Sequence, residues 1–210
     1  DNITGGSQND IINGAGGTDN LAGGLGNDTF NITSGTDAIS DLTTGDILVV
    51  SSGATVNATN ISAFIATAST SNSGTANLTA GNSGSTITMT NSTAGAYTLT
   101  GGSGVDTFIG DTGNDILIGN DNDDDLNGAN GSDTLTGGNG NDTFRITNGT
   151  DSVTDLETGD ILVITGGTAN VTVPTAFIAT NATTNSSTAN ISTSNSGVTV
   201  NMNLSAAGNY

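Results

Sequence analysis

The sequence predicts an all-β fold of parallel strands wound into a solenoid, and three observations carry that prediction. Gly-rich units recur every nine residues, one position near the end of each unit is always apolar, and aromatic side chains make up only 3% of the chain. Six Gly-rich residues make a turn and three make a short strand, whose alternation puts one side chain inside and its two neighbours outside. Two units complete one coil, so turns alternate between two edges and each strand lies about 4.8 Å from the strand two units on. So few aromatics imply a thin interior.

The units begin at Gly5 with GGSQNDIIN, GAGGTDNLA and GGLGNDTFN. They resume at Gly101 with GGSGVDTFI, GDTGNDILI, GNDNDDDLN, GANGSDTLT and GGNGNDTFR. In all eight, position 1 is Gly, position 6 is Asp and position 8 is Ile, Leu or Phe. Position 4 is Gly in six, the exceptions being Gln8 and Asn122. Gly belongs where φ is positive or another backbone comes close, and Asn tolerates positive φ better than most residues.

Charge sets the next question. Twenty acidic groups face one basic residue, Arg145, giving a formal charge of −19. Low hydrophobicity with high net charge fits a disordered chain, or a fold completed by a bound cation. The positions of the aspartates separate the two, because eight Asp in one phase are not scattered solvated charges. Turn chemistry alone would accept Asn or Ser at many of those positions. Stacked turns that each offer a carboxylate and backbone carbonyls make an all-oxygen cage, which suits Ca²⁺ with its six to eight hard ligands. Mg²⁺ demands a tighter octahedron, and Zn²⁺ would call for His or Cys, of which there are none.

These units resemble the calcium-binding nonapeptide G-G-x-G-x-D-x-U-x of the RTX (repeats-in-toxin) family. The resemblance covers Gly5–Asn31 and Gly101–Arg145. It implies a right-handed parallel β-roll with a row of Ca²⁺ along each edge. The implied ligands are Asp10, Asp19 and Asp28 in the first roll, and Asp106, Asp115, Asp124, Asp133 and Asp142 in the second. Pairing turn n with turn n+2 gives the rolls at least one and three interior sites. Asp121, Asp123 and Asp125 lie off this phase and read as solvated loop charges or as a secondary metal contact.

A longer period joins two copies of a larger unit. Thr29 to Val50 recurs as Thr143 to Ile164, with 15 of 22 positions identical. AFIAT recurs at Ala63 and Ala176, TAN at Thr75 and Thr188, and AG-x-Y at Ala94 and Ala207. The expected units are therefore 1–97 (roll 5–31, GTD/TGD segment 32–50, polar segment 51–97) and 98–210 (roll 101–145, GTD/TGD segment 146–164, polar segment 165–210). The chain reads as a window from a longer array. Asp37, Asp41 and Asp46 recur as Asp151, Asp155 and Asp160 in GTDxxxDLxTGD, similar to the D-x-I-x-D-F-x-x-G-D segment that often follows RTX rolls. A further Ca²⁺ site in each copy is expected there, against simple turn capping next to Gly45 and Gly159. Ile39 and Val153 should point inward, and Ile47–Val50 and Ile161–Ile164 read as buried strands. The polar segments read as further coils or as a small β-domain, and AFIATA as one helical turn or a strand. Their Asn, Ser and Thr suit outward ladders, glycan attachment or plain solvation.

Several function classes are excluded. Without His or Cys there is no imidazole base or thiolate, and the aspartates are already accounted for as ligands, so no enzyme is expected. The net charge repels nucleic acid. No signal peptide and no apolar run long enough to span a bilayer appears, so no transmembrane segment is expected. The expectation is a calcium-dependent structural module of a secreted bacterial surface assembly (S-layer, extracellular filament or adhesin). It would fold on Ca²⁺ outside the cell and self-associate into a polymer or lattice, with cell-surface polysaccharide as a possible partner. The alternative is the RTX domain of a secreted toxin, protease or lipase whose active part lies elsewhere. A third reading, a carbohydrate- or ice-binding face, needs regular outward Thr rows. Position 7 is Thr in only four units: Thr29, Thr107, Thr134 and Thr143.

Overall fold

The structure, a computed structural model, describes residues 1–93, 95–180, 182–196 and 198–202. Ala94 and the Ala207–Tyr210 copy of the AG-x-Y motif fall outside them. The chain is a parallel β-solenoid, with no helix among the described residues. One face is an unbroken eleven-stranded sheet running from Asn2–Gly6 to Thr188–Thr193. Its register is the one that the nonapeptide predicts. Leu21 pairs with Ile39, Leu99 with Leu117, Leu117 with Leu135 and Leu135 with Val153, each partner standing two nonapeptides further along.

The opposite face is interrupted. A four-stranded sheet (Ile11–Ile12 to Ser71–Asn72), a seven-stranded sheet (Ala63–Ile65 to Thr184–Asn185) and a two-stranded sheet (Ala176–Ile178 and Thr199–Asn201) follow one another. Each interruption falls at an AFIAT motif. Ala63–Ile65 pairs forward with Thr86–Thr88, while Ser71–Asn72 of the same coil pairs back onto Ile47–Val50. The second copy does the same, with Ala176–Ile178 pairing forward and Thr184–Asn185 pairing back. AFIAT is therefore a strand and a sheet break, not a helical turn. Phe64 and Phe177 fill the core from it.

The described polar segments are further coils of the same solenoid, not a separate domain. Their repeat is longer: Ile39 pairs with Ala58, Ala76 with Tyr97, and Phe64 with Ile87, each partner standing more than two nonapeptide lengths on. Parallel pairing fixes only the strands, so extra residues go into the turns. Outward positions on the long sheet form ladders. Asn57 accepts from Asn77 Nδ2 at 2.8 Å, Asn170 from Asn190 at 2.9 Å, and Thr136 and Thr154 join their hydroxyls at 2.8 Å.

Position 8 faces inward throughout. Ile12, Phe30, Phe108, Leu126 and Phe144 come from one face and Leu21, Leu117 and Leu135 from the other, all nearly inaccessible. Ile39 and Val153 point inward as expected, as do Leu42 and Leu156. Ile47–Val50 and Ile161–Ile164 bury only alternate residues, Leu48 and Val50, Leu162 and Ile164, because their other side faces outward. Each apolar chain added to this column contributes about 1.5–3 kcal/mol. The core is a thin layer shared by the two facing sheets, and uncompensated charges at its edges subtract from what it contributes.

Candidate metal rows on the two edges

Position 1 of each nonapeptide must be glycine for want of space. A Cβ on Gly119 would lie 2.1 Å from Asp124 Oδ2 and 2.6 Å from Gly137 O of the next coil. On Gly101 it would meet Gly119 O at 1.9 Å and Asp106 Oδ2 at 2.6 Å, and on Gly110 it would meet Asp115 Oδ2 at 2.3 Å and Gly128 O at 2.5 Å. A position-6 carboxylate and a main-chain carbonyl thus converge on the same small volume at Gly5, Gly101, Gly110 and Gly119, and the carboxylate fills it at the other four. Position 4 has a different reason. Gly17, Gly26, Gly131 and Gly140 hold φ between +121° and +154°, and Asn122 takes +73° in their stead. Gln8, Gly104 and Gly113 stay out of the positive-φ region; the two glycines there are set by close approach, of Gly104 to Gly84 and of Gly113 to Gly95 in the preceding coil.

The aspartates form a ladder along each edge, interrupted between the two copies. On one edge, Oδ1 of Asp28 accepts from the Asp10 amide at 2.9 Å, and Oδ1 of Asp46 accepts from the Asp28 amide at 2.8 Å. In the second copy Asp124, Asp142 and Asp160 accept in the same way from Asp106, Asp124 and Asp142. On the other edge Asp37 accepts from Asp19, Asp133 from Asp115, and Asp151 from Asp133. The expected pairs within the rolls are therefore stacked as predicted. Asp37, Asp46, Asp151 and Asp160, read from sequence as a separate group, prolong the same two rows. Asp41 and Asp155 do something else. Each spans two amides of the turn below, Gly23 and Gly24 or Gly137 and Gly138, at 2.9–3.0 Å.

The polar coils end the rows by substitution. Thr70 and Thr183 take the place of Asp46 and Asp160 in the same turn: the Thr43 amide bonds to Asp46 Oδ2, and those of Thr67 and Thr180 bond to the Thr70 and Thr183 hydroxyls. On the other edge Val56, Ala76 and Tyr97 stand in register where Asp stands in the rolls. Nothing in a nine-residue pattern reveals these replacements.

Every row aspartate except Asp10 is at most 3% exposed. Buried oxygens remain without a hydrogen-bond partner at Asp19, Asp37, Asp106, Asp124, Asp133 and Asp151. The one basic side chain, Arg145, is committed to Asp125 on the surface. Asp121 and Asp123 are exposed and bond to Asn139 and the Asn141 amide, as off-phase loop charges would. Burial raises eight of the row carboxyls, with backbone donors opposing it: Asp115 goes up to about 6, Asp124 and Asp160 up to about 7. Asp37, Asp106, Asp133, Asp142 and Asp151 are raised for the same reason. Among the described residues no three acidic side chains converge. An ion between two coils would draw on carboxylates from successive turns, with carbonyls such as Gly119 O and Gly137 O. Hard oxygens only, several of them unpartnered, fit Ca²⁺.

The raised values set a pH dependence for the calcium-free chain. Folded carboxyls hold their protons more tightly than unfolded ones, so the fold is most stable below the ordinary carboxylate range. That stability is lost as pH rises through the folded values near 6 and 7. In EDTA, circular dichroism should show more β structure at pH 5 than at pH 8. A calcium-free chain that instead gains structure with rising pH contradicts buried, uncompensated rows.

A family model, RTX calcium-binding nonapeptide repeat (4 copies), matches residues 1–30, 100–135 and 118–153. No curated protein matches the chain.

Proposed function

From the RTX calcium-binding nonapeptide repeats that this chain carries, we propose that it is a calcium-dependent structural module of a secreted bacterial surface assembly: an S-layer, an extracellular filament or an adhesin. The observation that carries the reading is the pair of buried carboxylate rows with no positive side chain to balance them. The row residues from Asp10 to Asp160 are the proposed ligands, with Asp41 and Asp155 bracing the turns. Ca²⁺ supplies the missing charge. In a calcium-poor cytoplasm the rows repel and the chain stays unfolded for export, and millimolar Ca²⁺ outside the cell folds it. No helix among the described residues is long and apolar enough to cross a membrane.

A structural role is supported by form. A solenoid grows by nearest-neighbour stacking and suits long, stiff assemblies. The repetition of the larger unit favours an array over a single calcium-binding tail on an enzyme or toxin. Thr and Asn ladders on the long sheet offer hydroxyls and amides to a cell-surface polysaccharide. Negative-stain electron microscopy with light scattering, in millimolar Ca²⁺ and in EDTA, tests the assembly. Ordered polymers are expected with Ca²⁺ only. Monomers under both conditions would remove the self-assembling role from this segment.

A further inference from the structure

The geometry points to an additional Ca²⁺ site at the seam between the first polar coils and the second roll, built from Asp111, Ser92 and Tyr97 beside the first aspartate of the row. It lies outside the position-6 pattern but rests on the reading of the rolls as calcium sites.

Asp111 occupies position 2 of its nonapeptide, where the other units carry Gly, Ala or Asn. Its side chain is buried, at 2% exposure. Oδ1 accepts from the Gly113 amide at 2.6 Å, and Oδ2 accepts the hydroxyl of Ser92 from the preceding coil. The Asp111 amide donates to Asp115 Oδ2 at 2.9 Å, which sets a second buried carboxylate alongside. Every donor to these two carboxylates is neutral. Two adjoining buried anions without a counter-charge are costly, and one cation compensates both.

Tyr97 supplies the independent observation. It stands in register where the rolls carry Asp, and its amide donates to Asp115 Oδ1 at 2.8 Å. Its ring is buried, at 1% exposure; its hydroxyl makes no hydrogen bond of ordinary length, and the Ser92 side chain is its neighbour. The polar coil therefore withholds the carboxylate that would sit across from Asp115, and Asp111 returns one from the same turn. The Asp111 carboxylate, Ser92 Oγ and Tyr97 Oη are hard oxygens, and Ca²⁺ accepts water for the remainder of its shell.

The test uses the full chain with Tyr210→Phe, which leaves Tyr97 as the one tyrosine. Bound Ca²⁺ is counted by native mass spectrometry, and Tb³⁺ emission is excited through Tyr97. Asp111→Asn should carry one ion fewer and show weaker Tb³⁺ emission, whereas Asp121→Asn should change neither. An unchanged count overturns the site, as does an ion lost with full emission retained, because that ion sat elsewhere. Should Asp111→Asn fail to fold in saturating Ca²⁺, Ser92→Ala takes its place. It should weaken the occupancy of a single ion, and unchanged occupancy overturns the site equally. A parent chain that binds no Ca²⁺ fails the reading of the rolls as a whole, while equal counts in parent and variant fail the seam alone.

Discussion

In EDTA at neutral pH the chain should lose most of its β-sheet circular dichroism, and Ca²⁺, but not Mg²⁺, should restore it. Carboxylates one strand spacing apart repel by roughly 3 kcal/mol at an effective dielectric near 20. The rows stack Asp106, Asp124, Asp142 and Asp160 in succession on one edge alone. Hydrophobic stabilisation comes from a thin core between two facing sheets, and each such term subtracts from it. Each Ca²⁺ site at hundredfold excess over its Kd contributes about 2.7 kcal/mol. Four such sites equal the whole net stability of an ordinary domain, about 5–15 kcal/mol. Mg²⁺ keeps its waters and its strict octahedron, and a cage of carbonyls and paired carboxylates on parallel strands does not offer that geometry. A titration followed in the far-UV β-sheet band, with EDTA reversal, reads the transition. A chain equally folded with and without Ca²⁺ would falsify the calcium trigger and leave the carboxylate rows without a partner.

Gly119→Ala should raise the Ca²⁺ concentration needed for folding by an order of magnitude or more, the effect of about 1–3 kcal/mol expected for overpacking. Gly119 does not hold a positive φ, so alanine fits its backbone. The obstacle is the added methyl, 2.1 Å from Asp124 Oδ2 and 2.6 Å from Gly137 O. Asp124 is held by the Asp106 amide at 2.7 Å, and Gly137 O belongs to the next coil, so neither can yield without opening the edge. Gly53→Ala is the matched control. Gly53 has φ +81° with nothing within 4 Å, and its turn carries Val56 where the rolls carry Asp. It should cost about 1–2 kcal/mol of backbone strain and leave ion binding intact. If Gly119→Ala leaves the Ca²⁺ midpoint unchanged, the space beside Gly119 is not the ion's. If Gly53→Ala shifts the midpoint as far, the effect is general destabilisation.

The nonapeptide itself fixed much of this architecture. Gly at position 1, Asp at position 6 and an apolar residue at position 8 dictate a turn, a carboxylate and one core side chain. Two such units close a coil, so that each strand pairs with the strand two units on, as Leu117 and Leu135 do. These are local rules with a fixed period, and a period is what a sequence displays directly. Where the period slips, the sequence falls silent. Whether the polar segments were coils or a separate domain depended on pairings such as Ala76 with Tyr97, which tolerate turns of different length. AFIAT became a sheet break because one coil pairs forward through Ala63–Ile65 and back through Ser71–Asn72. Only stacking placed Asp37, Asp46, Asp151 and Asp160 in the rows and put Thr70 and Tyr97 where those rows stop. Asp111 stayed hidden for the same reason: its partner Ser92 comes from the neighbouring coil, and a contact made across coils leaves no spacing to read.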